Sequence, residues 1–254
     1  MDVTAQDAIE ALRELERRLP DLFTLEPGMT DAELTEAEPR LPDGIRTLLR
    51  AVSAVHMAGD DRLDLDPRVT KAGSRWMRGP GEESRVLLSL ATGDHFFVDV
   101  HPGTGEWGAV FSQSADFFST YAYCARSLPE FLVDYAREAL AHADRVKADP
   151  EEYDWEDEEF DILFPCESVW GGRADVHGTP VAELRGTDDP DLAEVVAGLP
   201  DEAVLVDVRI LEPPLLMKLR PTNRKQEEFV RLGRQRQFAV AVPENTPLPA
   251  HDAH

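Results

Sequence analysis

Cysteine is nearly missing from this chain: Cys124 and Cys166 are the only two in 254 residues. Two are too few for a disulfide framework, and they do not stand in the Cys-x-x-Cys spacing of a zinc or redox site. Both are expected to be buried thiols, and Cys124 has no sequence-adjacent histidine that would mark it as a nucleophile. Long apolar runs are absent as well; none approaches the roughly 20 residues that a membrane-spanning helix requires. The acidic first residues lack the basic-then-apolar layout of a signal peptide, so a cytoplasmic protein is expected. Positive charge is scarce, with 26 Lys and Arg against 50 Asp and Glu and a formal net charge of −24. A surface of that sign repels nucleic-acid phosphates and draws basic partners, so direct nucleic-acid binding by the whole chain is not expected. No cofactor motif is present, and Gly171-Gly172, without a strand-to-helix phosphate-loop context, reads as a turn.

What is present is enough apolar sequence, 42% of residues, to bury one large core or two modest ones. The charge is unevenly distributed. Residues 1–148 carry 26 acids and 16 bases (−10), residues 149–217 carry 20 and 3 (−17), and residues 218–254 carry 4 and 7 (+3). Nine acids and no base fall within 149–161, the composition of a self-repelling linker. A boundary is therefore placed at 149–162, between a domain at 1–148 and a small α/β module at 163–242, with a tail at 243–254. Tyr153, Trp155 and Phe160 interrupt the acids, and groups of that size suit docking onto a domain or a partner.

Helix starts are well marked. Thr4 with Asp7 opens an N-terminal helix carrying Ile9, Leu12, Leu15 and Leu19 on one face, stopped before Pro20. Thr30 with Glu33 forms a capping box for a second, with Leu34, Ala37 and Leu41 on one face. Pro42 breaks it and fits the first turn of the next, whose Ile45, Leu48, Leu49, Val52 and Val55 recur at helical spacing until Gly59 supplies a left-handed cap. Residues 85–91, 95–101 and 107–111 read as an antiparallel meander, and 117–124 as helix or strand. Ser127-Leu128-Pro129-Glu130 reads as a capping box with proline inside the first turn, opening a helix with Phe131, Leu132, Tyr135, Ala136, Ala139 and Leu140 as its stripe. Beyond the acidic run, strands are expected at 181–184, 203–211 and 238–242. Helices are expected after Asp189-Pro190 and at 224–232, the latter ended by Gly233, in an arrangement that permits a partly parallel sheet.

The two-helix cassette at 30–59, the meander with Asp99, Gly103 and Gly105, and the helix start at Ser127 together resemble the SUKH superfamily. The matching residues are Glu38, Leu41, Pro42, Gly59, Asp99, Gly105, Ser127, Phe131 and Leu132, over about 28–142. Ala58-Gly59 stands where the family has Asn-Gly, and Ser127-Leu128 where it has Ser-Phe. The resemblance implies an α+β fold in which helices pack on an antiparallel meander, serving as a non-catalytic protein-binding module. The family includes yeast cell-wall-synthesis regulators and bacterial toxin-immunity proteins that neutralise a toxin by covering it. It says nothing about residues after 142.

A basic protein partner, such as a secreted toxin or nuclease toxin, is the expectation that joins the resemblance to the charge. Its candidate contacts are Trp76, Asp99, Glu152, Trp155, Asp157, Glu158 and Glu159. Two other readings stand beside it. Strand alternation places His95, Phe97, Asp99 and His101 on one face, inviting a metal-assisted hydrolase. At about 3.3 Å per residue, His95 and Asp99 lie roughly 13 Å apart and cannot share an ion, whereas Asp99 and His101, about 7 Å apart, can. A partly exposed polar sheet face is the simpler expectation for that strand. The basic residues at 218–236 (Lys218, Arg220, Arg224, Lys225, Arg231, Arg234 and Arg236) suit a nucleic-acid-associated regulator or, preferably, pairing with the chain's own acids.

Overall fold

The computed structural model describes residues 3–38, 40–69, 84–90, 95–101, 104–113, 120–149, 152–165, 174–219, 227–233 and 237–243. Local capping chemistry sets the first elements. The Thr4 hydroxyl accepts the Asp7 N–H and the Asp7 carboxylate accepts the Thr4 N–H, opening α1 (Ala5–Arg18). The same reciprocal pair between Thr30 and Glu33 opens α2 (Asp31–Ala37), and Pro42 precedes α3 (Asp43–Ala51). Ser127 caps α4 (Leu128–Ala148), with proline in its first turn, by accepting the Glu130 N–H; the reciprocal half of the expected box is displaced by one residue, since the Glu130 carboxylate accepts the Arg126 N–H.

The second cassette helix ends earlier than its spacing suggests. Val52 and Val55, expected on α3, belong to β2 (Val52–Met57), which pairs antiparallel with β1 (Phe23–Pro27) and with β3 (Arg62–Asp64). β-Branched residues favour the pleated backbone, and here a partner strand is available some 30 residues back in the chain. Gly59 does adopt a left-handed φ of 84°, but in the turn after a strand rather than at a helix end.

A six-stranded sheet in the order β4-β5-β6-β7-β11-β8 forms the centre of the molecule. It comprises β4 (Ser84–Ser89), β5 (His95–Val100), β6 (Trp107–Gln113), β7 (Thr120–Ala125), β8 (Asp175–His177) and β11 (Leu215–Lys218). The four-strand meander is antiparallel throughout. The ambiguous segment at 117–124 therefore resolves to strand β7 over its described part. β11 adds antiparallel to β7, and β8 adds parallel to β11, the partly parallel pairing the alternation allowed. Strands from both sides of the expected boundary thus share one sheet.

A second sheet, β12-β13-β10-β9, is built from β9 (Thr179–Pro180), β10 (Val204–Asp207), β12 (Glu227–Leu232) and β13 (Phe238–Pro243). Two expectations are corrected here. Val181–Leu184 is a short helix, α6, rather than a strand, and 227–232 is a strand rather than part of a helix. Strand β12 pairs with β13 from Glu227↔Pro243 to Leu232↔Phe238, a hairpin that outweighs the helical spacing of the same residues. The helix at Pro190–Ala197, α7, is capped by the Asp189 carboxylate as expected.

Alternation along the central strands divides the core and makes the fold α+β in four layers. Phe96, Val98 and Val100 turn toward α1, α3 and α4, together with Leu12, Leu48 and Leu132. Phe97, Phe111, Tyr121 and Tyr123 turn to the other face and meet Val204, Val206, Ala239 and Ala241 of the second sheet. The small alanines of β13 leave room for the rings opposite, the large-against-small matching that dense packing requires. Leu205, Phe238, Val240 and Val242 point outward from the second sheet onto Val195, Val196 and Leu199 around α7. The sheet face expected to be partly exposed is thus the interior of a sheet-on-sheet interface.

Gly105, one of the residues carrying the family resemblance, has a structural reason. Its φ is +73°, and a Cβ there would come within 2.6 Å of the Arg40 carbonyl oxygen, where the β5–β6 turn meets the α2–α3 break.

The caps also give a pH expectation. Hydrogen bonds from the Thr30 backbone and hydroxyl hold the Glu33 carboxyl below its ordinary value. A lowered folded pKa contributes stability that is fully present above the unfolded value and lost as pH falls through the folded one. Chemical denaturation across the acid range should show this loss, and Glu33→Gln should remove that portion of the pH dependence. An unchanged profile in the variant would show that the capping charge contributes nothing measurable.

Candidate functional site: an acidic helix on the α4 face

The run expected to be a linker contains a docked helix, α5 (Trp155–Leu163). Its Ile162 and Leu163, with Phe164 just beyond, are buried in the principal core, and Tyr153 and Trp155 pack against that core while half-buried. The Tyr135 hydroxyl donates to the Leu163 carbonyl at 2.6 Å, tying the end of α5 to α4. Burying each of these large apolar side chains contributes roughly 1.5–3 kcal/mol, whereas like-charge neighbours on an exposed helix face oppose it by only about 0.2–0.5 kcal/mol per pair. Three buried side chains therefore outweigh the self-repulsion that favours an extended linker.

The docked helix sorts its residues by side. Glu152, Asp154 and Asp161 are exposed, and Glu158 and Glu159 are half-buried. Phe160 is 45% exposed, with its ring 4.9 Å from that of Phe164. Lys147 lies over the Trp155 ring at 5.5 Å, and the His142 Nε2 meets Glu158 at 2.6 Å. Of the expected contact residues, Glu152, Trp155, Glu158 and Glu159 gather on this helix and its lead-in. The side chain of Asp157 and all of Trp76 lie outside the described residues.

Asp99 is corrected. It is 3% exposed and faces the second sheet, where Arg231 Nε approaches its Oδ2 at 3.8 Å, so it is not a surface contact for a protein partner. It lines a cavity of about 490 Å³ at the rim between the sheets, together with His101, Glu106, Tyr123, Arg209 and Arg231. The hydrolase constellation is only partly assembled there. Asp99 and His101 share the cavity, but His95 hydrogen-bonds Ser89 at 2.9 Å instead, and the three do not meet within reach of one ion. His101 Nδ1 accepts the Thr104 N–H, which holds the ring as part of the β5–β6 turn.

Cations around this cavity are engaged by the protein's own acids and rings. Arg209 contacts Asp207 and Asp189 at 2.6 Å each and lies 4.7 Å over Phe238. Its guanidinium is held more basic than usual, chiefly by Asp207, while Asp189 is held below the usual carboxylate range, chiefly by Arg209. Arg126 pairs with Glu212, and Arg231 lies 4.5 Å over the Phe111 ring. Burial pushes the Tyr123 hydroxyl up. In the basic stretch, Lys218 pairs with Asp175 and Arg231 approaches Asp99, in line with internal pairing; Arg220, Arg224, Lys225, Arg234 and Arg236 lie outside the described residues.

Among the described residues, no helix is long and apolar enough to cross a membrane. No family model matches the chain, and no curated protein matches it.

Proposed function

We propose that this is a non-catalytic, cytoplasmic protein-binding module that takes a basic protein partner on the exposed side of α5, in the manner of SUKH-type immunity or scaffold proteins. The observation that carries the reading is the exposed Phe160 set among carboxylates on an ordered helix. A ring rimmed by charge of one sign offers a desolvated anchor at the centre and steering at the edge. The strongly negative field of residues 149–217 speaks for the same class of partner, and a toxin neutralised by being covered fits both features.

The test is co-expression with the products of neighbouring genes, followed by kinetic measurement on any stoichiometric complex. Reversing Glu152 and Glu159 to lysine should slow association about tenfold or more at low salt and flatten its salt dependence. Phe160→Ala should chiefly speed dissociation. Failure of every neighbour-encoded protein to form a complex, or a complex indifferent to these substitutions, would overturn the proposal.

A further inference from the structure

His142 of α4 and Glu158 and Asp161 of α5 bring one imidazole nitrogen and two carboxylate oxygens within 4.8 Å of one another. Glu158 and Asp161 are spaced i,i+3 and so share a helical face. His142 and Glu158 are half-buried, and Asp161 is exposed. We infer that these three side chains form a site for a divalent transition-metal ion that staples α5 to α4.

Donor chemistry sets the class. One imidazole with two carboxylates suits ions that accept mixed nitrogen and oxygen ligands, zinc foremost, and leaves a fourth position for water. Two carboxylates neutralise a dication, and the nine acids at 149–161 raise the local cation concentration. Donors on one zinc ion lie about 2.0–2.2 Å from the metal. Tetrahedral donors at that distance lie about 3.4 Å apart, so separations of up to 4.8 Å must close by as much as about 1.4 Å, an adjustment the exposed Asp161 side chain supplies, while the 2.6 Å contact between His142 and Glu158 opens.

The hydrogen bonds around His142 say what binding must displace. Arginine only donates, so the contact of 2.9 Å from Arg145 Nη2 makes His142 Nδ1 an acceptor and leaves the ring proton on Nε2, facing Glu158. A metal on Nε2 requires the other neutral tautomer. The proton leaves Nε2 and one is taken up from water at Nδ1, so the ring gains and loses none overall, while Arg145 turns away into solvent. Arg145 is thus a competitor of the metal, and this gives the site a directional test that an acidic surface patch lacks.

Zinc chloride titrated calorimetrically into the full chain, without partner and with excess magnesium to occupy weak carboxylate sites, should reveal one micromolar site per chain. Saturating zinc should raise the melting temperature. His142→Ala and Asp161→Asn should each weaken binding at least about tenfold, a loss seen even for the outer partners of metal ligands. Arg145→Ala should tighten it. Asp161 is exposed, so Asp161→Asn preserves the fold and keeps the test valid if His142→Ala destabilises α4. Zinc binding that is millimolar or weaker in the wild type, or equal in all four proteins, would overturn the inference. Because no partner is present, either result leaves the test of partner binding separate.

Discussion

Replacing Phe111 with alanine is expected to destabilise the protein by about 3–5 kcal/mol, the range for emptying a fully buried phenylalanine site. Phe111 is 0% exposed on β6, at the centre of the sheet-on-sheet interface. Its ring stacks on Phe97 at 5.9 Å and on Tyr123 at 5.2 Å, neighbours set by the register of β5, β6 and β7. Arg231, 4% exposed as a side chain, places its guanidinium 4.5 Å from the same ring. A desolvated cation over an aromatic face gains about 2 kcal/mol, so the upper end of the range is expected. Urea denaturation should show the loss as a lower midpoint with the slope little changed. Phe111→Leu keeps most of the volume but not the aromatic face, so its smaller loss separates filling from ring contacts. A loss below about 1 kcal/mol for alanine, the centre of the range for ordinary substitutions, would show that the two sheets do not pack through this residue.

Such an interface explains which parts of the fold could be read in the residue order. The caps at Thr4, Thr30, Ser127 and Asp189 were legible because each is made by side chains no more than three residues from the backbone groups they satisfy. The faces of β5 were legible too, since alternation alone sends Phe96 and Phe97 to opposite sides. What covers the Phe97 face was not, because its partners on β10 and β13 lie more than 100 residues away in the chain. Val52 and Val55 fit helical spacing and strand pairing equally well, and β2 is buried along most of its length, which removes the alternation that would have separated them. β12 carries helical spacing yet forms a strand for a similar reason, its conformation being set by pairing with β13.

The candidate site divides along the same line. Composition marked 149–161 as acidic, and the interleaved aromatics marked it as more than a spacer. Yet the apolar triplet that docks it, Ile162-Leu163-Phe164, begins at the far end of the charged run and acts only through α4 and the core. Asp99 illustrates the opposite error. A carboxylate on a strand face looks available until the second sheet covers it and brings Arg231 to it. His142 carried no signal of its own, being one polar residue on a long helix; its cluster appears only when α5 is laid across α4.

Whether α5 is an independent unit can be decided with Ile162→Ala, expected to destabilise its site by about 2–5 kcal/mol. Ile162 is 0% exposed and is the first large apolar residue after the acids. Hydrogen exchange should place much of the loss locally. Amides of Trp155–Leu163 should lose protection while those of β5 and β6 keep theirs, because detaching one helix leaves both sheets paired. Equal loss throughout would instead make α5 part of the global folding unit. The local outcome bears directly on partner binding. If only the number of acids matters, a detached and still fully charged segment retains its association rate and salt dependence. If the ordered face around Phe160 is what the partner recognises, apparent affinity falls with the fraction of molecules in which α5 is docked. Once the undocked form dominates, each further 1.4 kcal/mol in its favour raises the apparent Kd about tenfold. Comparing Ile162→Ala with Phe160→Ala then separates presentation from contact, since the first removes the surface by undocking it and the second removes the anchor while leaving the helix in place.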